Sequence, residues 1–131
     1  MGAVSCVDDP RVDTYTARLT KPGAKNELTF ELTSSTPAPP AKGGNTFAVS
    51  VTGADGTPMT GQLSIDLKMP DHGHGTTVTP AVSFDAATNQ YVIAPVYLFM
   101  PGVWRVELDY FADPSDAKAL DDAVFFFCIE G

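Results

Sequence analysis

Apolar and polar residues alternate with period two along most of this chain, and that alternation restricts its fold more than any other feature. Leu28, Phe30 and Leu32 alternate with Thr29, Glu31 and Thr33. Phe47, Val49 and Val51 alternate with Thr46, Ser50 and Thr52, and Leu63, Ile65 and Leu67 with Gln62, Ser64, Asp66 and Lys68. Successive side chains on a strand point to opposite faces, so each run has one buried and one wet face. Val78, Val82 and Phe84 extend a strand over 76–84, and Pro80 within it predicts an edge or a bulge. The run 91–99 is apolar on both faces apart from Pro95, which predicts a central strand. Trp104, Val106, Leu108 and Tyr110 alternate with Arg105, Glu107 and Asp109, and 124–129 closes the set. A weaker strand is expected near 14–20. Turn residues at 53–56 and 85–89 predict hairpin turns, and the proline-rich stretch 36–44 predicts a surface connector. One helical turn is expected within 112–122. The fold predicted is all-β: an immunoglobulin-like antiparallel β-sandwich of about seven to eight strands, with an open barrel as the alternative. It forms one domain over residues 1–131, with 1–13 as an N-terminal extension.

Composition narrows the partners. A net charge of −8 argues against nucleic acid and anionic membrane surfaces, which need Lys/Arg patches. No apolar run approaches ~18 residues, so no transmembrane segment is expected. Polar sequence follows Met1-Gly2 almost at once, as in a chain trimmed of an export signal. Cys6 and Cys128 are the two cysteines. A disulfide between them would close nearly the whole chain and place the protein in the periplasm or otherwise outside the cytoplasm. Two unrelated buried thiols, or a lipoprotein anchored through Cys6, are the other readings.

The two histidines lie in Met69-Pro70-Asp71-His72-Gly73-His74-Gly75, and Met100-Pro101-Gly102 follows further along. With strand 62–69 running up, counting antiparallel strands returns both motifs to the same end. Imidazole with thioether is a ligand set for copper, and thioether favours Cu(I). Residues two apart in extended backbone share a side, so His72 and His74 can chelate one ion. Asp71 is a candidate acceptor to orient one imidazole. The metal candidates are therefore Met69, His72, His74 and Met100. Each has a plainer reading: Met69 continues the inward register of Leu67, Met100 packs beside a tight turn, and the histidines are two exposed side chains of a polar loop. A blue-copper site is not expected, because it needs a cysteine thiolate among the ligands. No nucleophile motif or oxyanion loop points to an enzyme, and the carboxylates read as scattered over a solvated face.

The segment 68–104 resembles the YtkA-like/FixH-like family of small exported bacterial β-domains. The likeness is carried by Met69 to Gly75, the Tyr91 strand, Phe99-Met100-Pro101-Gly102-Val103-Trp104, and the stretch from Pro39 to Phe47. The resemblance implies an immunoglobulin-like sandwich outside the cytoplasm, with copper handling and cytochrome oxidase biogenesis as recurring associations. The ligand types are also similar to those of periplasmic copper chaperones that use two Met and two His, although the order along the chain differs. The expected function is an exported copper-binding protein, a periplasmic chaperone or buffer, with copper as ligand and a copper-accepting protein as partner. The alternative is a metal-free extracytoplasmic interaction module; an enzyme accessory domain is a weaker third.

Overall fold

A computed structural model describes residues 6–131. The opening residues 1–5, which precede the Cys6 of the lipoprotein reading, lie outside the described residues. Among the described residues, nine strands form two antiparallel sheets. They are β1 (Leu19–Pro22), β2 (Leu28–Thr36), β3 (Gly43–Gly53), β4 (Gln62–Met69), β5 (His74–Gly75), β6 (Ala81–Asp85), β7 (Gln90–Leu98), β8 (Gly102–Phe111) and β9 (Asp121–Ile129). One sheet has the order β1-β2-β3-β7-β6 and the other β5-β4-β8-β9. Leaving β1 aside and lettering β2 to β9 in chain order, the sheets read ABED and C′CFG, which is the immunoglobulin-like arrangement.

The alternating residues meet between the sheets. Phe30, Phe47, Val49 and Ile93 from one sheet pack with Trp104, Val106, Leu108, Phe125 and Phe127 from the other. The run 91–99 is the interior strand β7, bonded to β3 on one side and β6 on the other. The turn at 85–89 joins β6 to β7. The turn at 53–56 folds back through a Thr52–Pro58 bridge, after which the chain crosses to the second sheet.

Three expectations are corrected. The strand expected over 76–84 is shorter: residues 76–80 lie outside any strand and cross from β5, which pairs with β4, to β6, which begins at Ala81 and pairs with β7. Apolar alternation does not reveal which sheet a segment joins, and the threonines and proline at 76–80 carry the crossing. The early strand is β1, shifted to Leu19–Pro22. No helix forms in 112–122; Asp113 and Ser115 form a side-chain-capped turn, and β9 already begins at Asp121.

Cys6 and Cys128 are joined by a disulfide with Cα atoms 5.4 Å apart. The bond takes up the sulfur that a lipid anchor on Cys6 would use. Residues 6–13 thereby lie along β9, where Asp13 N–H donates to Phe126 O (3.0 Å) and Phe126 N–H donates to Asp13 Oδ2 (2.8 Å).

Candidate functional site

Lys68 pairs with both Arg105 of β8 and Gly75 of β5, so β4 ends between the two glycine-rich turns. The His72 and Gly73 N–H groups both donate to Met69 O (3.1 and 3.0 Å), which closes the loop into a tight turn. Gly73 has φ +66, a left-handed conformation suited to glycine. His74 then pairs opposite Met69 in β5.

Met69 is buried, as its inward register requires. Its Cε lies beside Gly102, which opens β8. A Cβ on Gly102 would sit 2.7 Å from Met69 Cε and 4.0 Å from His72 Nε2. The methyl end of Met69 and the His72 ring therefore both lie beside one glycine. Gly102 has φ +136, and the Met69 methyl occupies the space where a side chain there would stand.

The imidazoles of His72 and His74 stack, with centroids 5.6 Å apart and planes at 24°. His72 is exposed and His74 half-buried. His74 Nδ1 lies 3.3 Å from Gly75 O. With the proton on Nδ1 as donor, Nε2 carries the free lone pair, the usual arrangement in a metal-binding histidine. Beyond His74 the ring stack continues to Phe99 (5.7 Å) and Tyr97 (5.8 Å). Phe99 also meets Trp104 edge-on, and Trp104 Nε1–H donates to Met100 O at 2.9 Å.

The structure thus brings Met69, His72 and His74 together. Met100 shares the same end, half-buried against the core rim, but the ring stack reaches His74 through Phe99. Asp71 does not orient an imidazole; its two carboxylate oxygens accept from Arg11 Nη1 and Nη2, both at 2.9 Å. That guanidinium holds the Asp71 carboxyl below the usual carboxylate range. The sequence reading quoted Phe99 and Gly102 only within the motif around Met100 and gave neither a role in the site, and it missed Arg11. Phe99 and Gly102 flank Met100-Pro101 and were within reach of a closer reading. Arg11 was not, because its partner is sixty residues away.

The carboxylates are less scattered than expected. Glu107, Asp109 and Asp122 lie close enough for their oxygens to fall within 4.8 Å of one another. Glu107 and Asp109 occupy the outward face of β8, and Asp122 stands opposite Asp109 on β9. Burial, a hydrogen bond to Glu107, and the charges of Glu107, Asp122 and Asp66 push the Asp109 carboxyl up to about 7.

A small antiparallel sandwich with a Met/His loop at one end is the class that fold and site define. The YtkA-like family matches residues 23–109, about two-thirds of the chain, and the protein belongs to that family. The match carries no FixH-like description. No curated protein and no solved structure matches the chain.

Proposed function

We propose that this protein is an exported copper-binding protein, a periplasmic chaperone or buffer, that holds one copper ion at Met69, His72 and His74, with Met100 as a further ligand from the adjoining turn. The observation that carries this reading is the approach of the methyl end of Met69 and of the His72 ring to the same glycine, Gly102, with His74 stacked on His72. The donor set suits copper better than zinc, which usually takes thiolate or carboxylate beside imidazole. Thioether favours Cu(I), and the two imidazoles also suit Cu(II). Met69 approaches from the core and His72 from solvent, so an ion can enter and leave on the histidine side. Such a site fits a protein that receives copper and passes it to a copper-accepting protein, rather than an enzyme. The Cys6–Cys128 bond supports a location outside the reducing cytoplasm.

A second reading, a metal-free interaction module, is favoured by one observation. β5 covers β4 only at Lys68 and Met69, so among the described residues the edge of β4 over 62–67 has no strand partner on that side.

Anaerobic Cu(I) competition titration and Cu(II) titration of the tag-free protein separate the two. The first reading expects one copper per chain, and weaker binding of both oxidation states in His72→Ala/His74→Ala. It also expects release on acidification, because a protonated imidazole has no lone pair to give. If the double variant binds like the unmodified protein, the metal site is wrong and the interaction-module reading replaces it.

A further inference from the structure

The histidine loop is held by a part of the chain remote in sequence. Arg11 grips Asp71, the residue before His72, through a two-pronged ion pair. The same guanidinium is preset by Asp9, which accepts from Arg11 Nε (3.0 Å), Nη2 (2.8 Å) and backbone N–H (2.9 Å). The backbone around Arg11 is itself folded, with Asp9 N–H donating to Cys6 O and Val12 N–H to Asp9 O. Both ends of this segment are fastened to β9: Cys6 by the disulfide to Cys128, and Asp13 by its two hydrogen bonds with Phe126. Lys21 of β1 adds an ion pair to Asp13 at 2.7 Å.

We propose that residues 6–13 form a strap that holds the histidine loop, with Arg11 as its positioning residue and the Cys6–Cys128 bond as its fastening, so that the order of the loop depends on thiol redox state. A fork-shaped guanidinium fixes both oxygens of Asp71 and so the orientation of the backbone that leads into His72. A free segment would lose conformational entropy to reach that geometry; a segment fastened at both ends has already lost it. An external dithiol unfastens Cys6. Two electrons and two protons pass to the cystine sulfurs, the S–S bond breaks to two thiols, and the dithiol closes to its own disulfide. The bearing of the strap on copper rests on the metal reading above; the strap itself does not.

Amide hydrogen exchange followed by NMR on the full, metal-free chain tests it, because the His72 and Gly73 N–H groups are hydrogen-bonded only while the turn is closed. In Arg11→Ala, exchange at these two amides should rise by about fivefold, the upper range for an exposed ion pair, with Val106 and Leu108 of β8 unchanged. Asp71→Asn should behave alike. Reduction by the dithiol should raise the same two amides, and Arg11→Ala should add nothing further in the reduced protein. Unchanged exchange in Arg11→Ala, or an equal rise at Val106 and Leu108, overturns the strap. Additive effects of reduction and Arg11→Ala overturn the fastening. A loosened loop with unchanged copper affinity supports the strap and counts against the metal reading, whereas an unchanged loop rejects the strap whatever copper does.

Discussion

At Asp121 both carboxylate oxygens face backbone N–H groups. Oδ1 accepts from Lys25 and Asp122, and Oδ2 from Glu27 and Leu28, at 2.8–2.9 Å. Burial pushes this carboxyl up, but the four N–H donors outweigh it and hold it below the usual range. Gly23 lies so close that a Cβ there would overlap the carboxylate. Asp121→Ala leaves several buried donors without a partner and should cost about 3 kcal/mol, read from urea unfolding. Nothing in the sequence marked this residue: 112–122 reads as a polar turn, and three of the four partners are main-chain groups more than ninety residues away. Met69 was more legible, since its register already aims it inward. Met69→Leu keeps the volume and should change stability by less than about 1.5 kcal/mol. It removes the sulfur, and Cu(I) affinity should fall about tenfold or more in a competition titration while Cu(II) binding through the histidines changes less.

Among the elements, the strands were legible where one face is buried, because alternation records burial directly. What alternation does not record is which neighbour a strand takes, and so the crossing between sheets at 76–80, which shortens the expected strand to β6, went unseen. Nor does it reveal the side-chain hydroxyls that seat the crossings. Tyr91 O–H donates to Gly61 O at 2.7 Å, and Gly61 N–H donates to the Tyr110 hydroxyl oxygen Oη at 2.6 Å, which ties the entry of β4 to both sheets. The outer edge of β9 is covered in a similar way from a distance, by Asp13 and by Lys21 Nζ donating to Val124 O. The disulfide, with a sequence separation of 122, fastens this cover. A loop of that size gives about 4–5 kcal/mol in the chain-entropy picture. The Cys6→Ser/Cys128→Ser protein should therefore unfold at lower denaturant, having lost about 2–5 kcal/mol. An unchanged midpoint would show that the strand cover stands without the bond.

For the whole molecule, charge sets the response to pH. The folded Asp109 carboxyl, near 7, lies above the roughly 3.9 of an unfolded aspartate. Its contribution is full below about pH 4 and is lost as pH rises through about 7. Asp121 runs the other way: its folded value is depressed, so its contribution is present above about pH 4 and is lost as acid protonates it. The melting temperature should peak in mild acid and fall toward about pH 8, and Asp109→Asn, which keeps a donor for Glu107 without titrating, should flatten that fall. A melting temperature that climbs steadily from about pH 5 to 8 would contradict this assignment. The candidate site depends on the same long-range order. Strand counting placed the two turns at one end, but only the packed fold brings Met69 and His72 together over Gly102. Copper-edge X-ray absorption of the protein loaded with one Cu(I) tests that convergence most directly. The expected spectrum has sulfur and imidazole scatterers together, with one sulfur lost in Met69→Leu and imidazole lost in His72→Ala/His74→Ala. A spectrum without sulfur, or one that Met69→Leu leaves unchanged, would contradict the account.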